Sequence, residues 1–198
     1  MNATEAYHRV RAKEGRLLSD DLVRGLPASG AGTPHALEWR IRERSMYRLI
    51  RTFPAQGPPL RILEVGAGNG WLSAAMARAG HSVTAIDTHG EEVEQARRVF
   101  GGPALDVLHT DPFTATFPVR SFDRIVLAAS LQYFADPRTL FDRLVPWLKP
   151  EGAIHVLDTV LYTDHDAVLQ AQERSQRYFT DLGVPGMAAH YHHHLFSD

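Results

Sequence analysis

The run Glu64-Val65-Gly66-Ala67-Gly68-Asn69-Gly70 constrains this chain more than any other part of it. It closes an apolar stretch over residues 60–65 and opens into Trp71-Leu72-Ser73-Ala74-Ala75-Met76. The reading is strand, glycine turn, helix. Glycines let the backbone turn tightly and let a ligand approach where a Cβ would block it. Two ligand classes use such a turn, and the glycine register separates them. A dinucleotide fingerprint, Gly-x-Gly-x-x-Gly, counted from Gly66 needs glycine or alanine at position 71. That position holds Trp71. Glu64, at the end of the strand, would also repel a phosphate.

A chain of 198 residues is long enough for one domain with a sizeable core. With 44% hydrophobic and 22% charged residues, it has the composition of a soluble globular protein. It contains no cysteine, which removes disulfides, thiolate metal sites and a cysteine nucleophile. The first residues lack an apolar leader and no run is long enough to span a bilayer, so a cytoplasmic location and no membrane partner are expected. Residues 1–60 carry ten Lys and Arg against six Asp and Glu. That excess is too mild for a nucleic-acid footprint, so a nucleic-acid partner is not expected.

Residues 1–59 read as an N-terminal helical appendage and residues 60–198 as the core. Helices are expected over 4–18 and 34–53, the second capped by Thr33 with Pro34 in its first turn. From residue 60, strands and helices alternate at the spacing of βαβ units. The strands are 60–65, 82–87, 104–109, 122–128 and 153–158. The helices cover about 71–79, 90–100 and 137–148, the last broken near its end by Pro146. Asp164 caps a further helix to about 182, and the remainder reads as irregular. This pattern predicts an α/β, doubly wound, mostly parallel sheet of order 3-2-1-4-5, with a ligand at the switch between strands one and four.

Asp87 ends the second strand, where a carboxylate can accept from the ribose hydroxyls of an adenosine ligand, or cap the helix that follows. Asp111 follows the third strand in His109-Thr110-Asp111-Pro112-Phe113, where an Asx-turn is the plain alternative. Phe117-Pro118-Val119-Arg120-Ser121-Phe122-Asp123-Arg124-Ile125-Val126 leads into strand four, and Leu148-Lys149-Pro150-Glu151-Gly152 leads into strand five. In this order and spacing, these motifs resemble the class I S-adenosylmethionine (SAM) dependent methyltransferase family over residues 60–158.

The resemblance implies SAM as cofactor, S-adenosylhomocysteine as product, and a cofactor site of Glu64, Gly66, Ala67, Gly68, Gly70, Asp87, Thr88, Asp111, Pro112, Phe113 and Ala128. Glu64 would brace the glycine loop and offer negative charge to the ammonium or sulfonium end. Asp111 would accept from the adenine amino group. Pro112 has no N–H, so Phe113 or a water must donate to the ring. Gln132 and Tyr133 follow strand four, where the family faces the methyl group and the acceptor; ordinary helix-entry residues would look the same. No residue declares itself a general base, and methyl transfer needs no metal.

The implied activity is methyl transfer to a small-molecule acceptor, with the N-terminal helices over the cleft. The alternatives are an RNA or protein methyltransferase, or a SAM-binding protein that is not a catalyst. Family members usually add two strands as an antiparallel hairpin after strand five, and no such pair is visible here. Either the chain as given ends short of them or something else covers the sheet edge; an uncovered edge would invite a homodimer. Phe196-Ser197-Asp198 reads as a helix start. Two features remain unassigned. Arg40, Arg44, Arg48 and Arg51 share a helix face, either solvated or meeting an anion. His190, His192 and His194 would share a face if extended, as a metal site or as a lining of the acceptor pocket.

Overall fold

The computed structural model describes residues 2–197. Five parallel strands form the sheet: β1 Arg61–Val65, β2 Ser82–Asp87, β3 Leu105–His109, β4 Phe122–Ala128 and β5 Leu148–Leu157, in the order β3-β2-β1-β4-β5. In register, Glu64 lies opposite Ala85 on β2 and Val126 on β4. The central strand is buried on both faces because both are covered: Ile62, Leu63 and Val65 are fully buried, and Glu64 is the one polar side chain among them.

Ile62 belongs to a core shared with α3 (Ala36–Arg51), α4 (Trp71–Arg78) and α5 (Gly90–Phe100), in which the Trp39 and Trp71 rings meet edge to face at 5.6 Å. Leu63 and Val65 face the opposite layer, built on α6 (Pro137–Leu144) and Trp147. A third, separate cluster joins α1 (Ala3–Lys13) to α7 (His165–Asp181) and the tail through Ala6, Val10, Phe179, Val184 and Met187. The segments farthest apart in sequence are therefore packed together. Asp164 caps α7 as expected, accepting from the Ala167 N–H at 2.8 Å.

Several boundaries differ from the sequence reading. The first helix stops at Lys13, two residues before Gly15 takes a left-handed φ of 67°. A short α2, Asp20–Arg24, then starts on Ser19, whose side chain accepts from the Leu22 N–H. Thr33 does not cap α3; its hydroxyl bonds the Gly30 carbonyl and accepts from His35, and α3 begins at Ala36 without a side-chain cap. α6 ends at Leu144 in a 3-10 turn containing Pro146, and β5 begins at Leu148 rather than 153.

The tail is not wholly irregular. A 3-10 turn spans Pro185–His190, and β6 (Leu161–Tyr162) pairs in parallel with β7 (His194–Leu195) as a separate ladder. Among the described residues no further strand pairs with β5. Residues 196–197 form a turn, and Asp198, the end of the expected helix start, lies outside the described residues.

Candidate functional site

The glycine loop leaves β1 at the junction with β4. Its first turns are held by the Ile86 carbonyl, which accepts from the Gly66 and Ala67 N–H groups at 2.9 and 3.1 Å. Gly66 has φ 74°, and a Cβ there would stand 2.5 Å from the Cβ of Ser130 after β4. Gly70, at φ 75°, is the residue before α4, and a Cβ would stand 2.8 Å from that of Ala96 on α5. The two glycines thus have different reasons. Gly66 lets the loop pass the β4 turn, and Gly70 lets α4 pack on α5.

Asp87 clamps the loop from β2. Its Oδ2 accepts from the Gly68 N–H at 2.7 Å and its Oδ1 from the His89 N–H at 2.8 Å. His89 precedes α5 without any side-chain cap, so Asp87 does not act as the helix cap. A carboxylate can accept more than these two bonds, and Asp87 also lines a cavity.

Glu64 departs from its expected role. Only 2% exposed, it bonds the Ser73 hydroxyl on α4 rather than the loop. Burial, reinforced by the Asp87 charge, pushes its carboxyl up to about 8. A second acid does face the loop. The Glu92 carboxylate on α5 lies 3.5 Å from where a Gly68 Cβ would sit. From α1, the Tyr7 hydroxyl donates to it at 3.4 Å and Arg11 approaches at 3.6 Å. Burial raises the pKa of Glu92, and Arg11 Nε is buried with no hydrogen-bond partner.

Two cavities meet over the carboxyl ends of the strands. The smaller, about 230 Å³, is lined by Asp87, Thr88, Asp111 and Pro112 together with Phe134. The larger, about 700 Å³, is lined by Glu64, Ala67, Gly68, Ala128 and Gln132, and extends between α1, α3, α7 and the tail. Gly66, Ala129, Tyr7 and Tyr133 line both. The Tyr7 and Tyr133 rings meet edge to face at 5.4 Å, and Tyr7 lies 4.1 Å from the His89 ring. Burial raises the Tyr133 hydroxyl well above its ordinary pKa.

Phe113 falls outside this cleft. Its N–H, the expected donor to an adenine ring, goes to Asp111 Oδ1 at 2.7 Å, and its ring is 48% exposed. Asp111 also accepts from the N–H and hydroxyl of Thr114, which makes it an Asx-turn as well as a cavity wall. Gln132 is tied down rather than free: its amide donates to the Ala129 carbonyl at 2.6 Å and accepts from Thr159 at 3.0 Å.

The histidine run does not form one extended face. His190 and His192 line the smaller cavity, and buried His194 bonds the Leu131 carbonyl. His193 lines the larger cavity, with Nε2 2.9 Å from the Ser175 hydroxyl and Nδ1 3.4 Å from that of Tyr162. Burial lowers its pKa, so the imidazole is neutral at pH 7. Among the described residues no three metal-binding side chains gather.

Sequence reasoning did not single out Tyr7, Arg11, Glu92 or His193 as members of one site. Tyr7 and Arg11 stand one turn apart on α1, and Glu92 looks like an ordinary first-turn acid. No local signal records that α1 folds onto α5.

The residues present fit SAM. Two acidic side chains, Glu64 and Glu92, stand beside the glycine loop; with its carboxyl at about 8, Glu64 gains its charge most readily next to a cation, which suits an ammonium or a sulfonium better than a phosphate. Asp87 stands where a ribose would be read, Gly66 and Gly68 leave the space that side chains would fill, and Arg11 Nε is an unspent donor for a carboxylate.

Comparison with known proteins agrees with this geometry. Residues 63–156 match a family described as "Methyltransferase domain". An uncharacterised methyltransferase of Mycobacterium tuberculosis is 35% identical over 99 residues, 50% of this chain and 50% of that protein. A ubiquinone biosynthesis O-methyltransferase of Xylella fastidiosa is 33% identical over 135 residues, 65% of this chain and 54% of that protein. The chain spans about half the length of the curated relatives it matches.

Among solved structures, YcgJ of Bacillus subtilis superimposes with a TM-score of 0.64 at 23% identity, covering 78% of this chain and 64% of that one. The cyclase SpnF shares the fold with a TM-score of 0.51 at 24% identity, covering 58% and 43%. By its motif order, its sheet and the matched model, residues 63–156 of the chain form a methyltransferase domain similar to those of the class I SAM-dependent family.

Proposed function

We propose that the protein transfers a methyl group from SAM to an oxygen of a small, ring-bearing acceptor. The observation that carries this reading is the meeting of the two cavities at Gly66, Ala129, Tyr7 and Tyr133. Donor and acceptor would share that junction. Asp87 would hold the ribose, Thr88, Asp111 and Pro112 the adenine, and Ala67, Gly68 and Ala128 the methionine arm. Glu64 and Glu92 would face its cationic groups, and Arg11 its carboxylate.

Bound SAM supplies a methyl carbon already activated by the sulfonium. The protein's work is then alignment of the two reactants, and rate comes from holding a near-attack geometry. Tyr133, and Gln132 locked between the β4 and β5 turns, would shape the wall against which the acceptor lies. Neutral His193, held by Ser175 and Tyr162, is the group placed to take an acceptor proton. The aromatic lining, with Tyr162, Tyr178 and Tyr191, suits a planar phenolic acceptor. Similarity to a ubiquinone biosynthesis O-methyltransferase supports an oxygen as the methylated atom.

A second reading is that the chain binds SAM without transferring its methyl group. The fold shared with a cyclase favours keeping it, because the fold alone does not secure the reaction. Melting curves with SAM, S-adenosylhomocysteine and NAD, followed by labelled-methyl transfer to a panel of catechols and quinols, separate the readings. Stabilisation by SAM and S-adenosylhomocysteine, with label in the organic phase, is expected. Stabilisation without transfer to any acceptor pool would favour the second reading. No stabilisation at concentrations far above micromolar would overturn both.

A further inference from the structure

We propose that the outer face of α3 docks on the surface of an anionic phospholipid bilayer. At 100° per residue, Tyr47, Arg40, Arg51, Arg44, Leu37, Arg48 and Ile41 fall in that angular order within an arc of about 120°. All seven are exposed, Leu37 at 72%, Tyr47 at 54% and Ile41 at 50%. The opposite side of the helix carries Trp39, Met46 and Leu49 into the core. The face is therefore cationic and apolar at once.

Among the described residues, Arg40, Arg44, Arg48 and Arg51 make no ion pair or hydrogen bond. Glu38 is taken by Arg16 and Arg42 on the inner side, and Glu43, half-buried about 40° beyond Tyr47, offsets the stripe only from outside its arc. Arginines four apart on a helix repel each other by a few tenths of a kcal/mol per pair. The fold bears that cost without an internal return, which points to an external anion.

The exposed apolar residues identify which anion. A nucleic acid would engage the arginines and leave Leu37 and Ile41 in water. At a bilayer surface, arginines reach phosphate headgroups while leucine and isoleucine enter the acyl boundary. Ile41 also lines the large cavity, as does Val160, 67% exposed. The apolar part of the face thus runs to the cavity mouth, where a lipophilic acceptor could enter directly from the membrane; that last clause rests on the methyl-transfer reading, and the docking does not. Among the described residues no helix is long and apolar enough to cross a membrane, but lying on one requires no such helix. The absence of a spanning run, from which no membrane partner was expected, does not bear on this face.

Co-sedimentation of the full chain with vesicles tests the docking without any acceptor. Binding is expected to phosphatidylcholine vesicles containing phosphatidylglycerol, absent with phosphatidylcholine alone, and weakened by salt. Arg44→Gln should lower the partition coefficient roughly fivefold, and the fourfold change of Arg40, Arg44, Arg48 and Arg51 to Gln should abolish binding. Leu37→Gln should weaken binding while leaving its salt dependence unchanged. Removing like charges relieves repulsion, so the fourfold variant should melt no lower than the parent, which separates lost docking from lost folding. Failure to sediment with anionic vesicles would overturn the proposal, as would undiminished binding by the fourfold variant. So would tighter binding to single-stranded RNA that needs the arginines but not Leu37, which would assign the face to nucleic acid.

Discussion

The same backbone conformation occurs at both ends of the cleft, filled by different residues. On the donor side the left-handed positions are Gly66, Gly68 and Gly70; at the ends of β4 and β5 they are Ala129 and Asp158, with φ of 52° and 53°. A side chain at Gly66 or Gly70 would collide with a neighbour already in place. At Ala129 and Asp158 a Cβ is accommodated, at a strain of about 1–2 kcal/mol per residue. Asp158 puts its side chain to use, receiving the Ser45 hydroxyl of α3 at 2.5 Å. The donor end is thus built from backbone that must stay bare. The acceptor end is built from side chains that fasten distant segments.

The largest effect should follow from filling the bare end. Gly66→Ala adds left-handed strain and a 2.5 Å contact with Ser130, for an expected loss of roughly 3 kcal/mol. At this chain length that lowers the melting temperature by about 10 °C. SAM stabilisation should vanish with it, because the loop must move to fit the methyl group. A variant that melts and binds like the parent would break the contrast outright.

Asp87→Ala comes next. It frees the Gly68 N–H and removes the proposed acceptor for the ribose, and charge-assisted bonds of this kind are worth about 1.5–3 kcal/mol. Calorimetric SAM affinity should therefore fall between roughly 10- and 100-fold. Unchanged affinity would mean that Asp87 shapes the loop and does not touch ligand.

This contrast also explains what could be read from the sequence. The sheet order, the glycine turn and Asp87 are encoded within a few residues of one another, where strand periodicity and glycine register are local properties. The clamp between Asp87 and Gly68 spans nineteen positions, yet βαβ topology alone brings those two turns together. No such rule brings Tyr7 to Glu92, eighty-five positions away, or the tail to α1. Amphipathic helices report that they have an apolar face, not what covers it. Phe113 is a related case. Its backbone N–H had a nearer acceptor in Asp111, a competition that only local geometry decides.

Glu64 sharpens the comparison by pH. The folded chain holds its proton up to about 8, whereas an ordinary glutamate releases it near 4.5. The native state therefore binds the extra proton, and its contribution to stability is full below about 4.5 and is lost as pH rises towards about 8. The slope is at most about 1.4 kcal/mol per pH unit, and Glu64→Gln should flatten it. A cation bound beside Glu64 favours the carboxylate, so SAM binding should release up to one proton and tighten as pH rises to about 8. Calorimetry in two buffers of different ionisation enthalpy measures that release. Zero proton uptake or release would place the cationic end of SAM elsewhere.

The smallest effects should come from returning glycine to the acceptor end. Ala129→Gly removes strain of about 1–2 kcal/mol but adds roughly 0.5–1 kcal/mol of unfolded-chain entropy. A net gain of under about 1 kcal/mol, or some 2–3 °C in melting temperature, is expected, with SAM affinity unchanged. Asp158→Gly relieves the same strain but also releases Ser45, so its stability should stay near that of the parent. The two substitutions should then separate in the acceptor reaction: Asp158→Gly loosens α3 over the large cavity and should raise the acceptor KM severalfold, while Ala129→Gly leaves α3 fastened. Equal behaviour of the pair in both stability and KM would show that the strain at Asp158 is incidental, and that its side chain does not hold the acceptor wall in place.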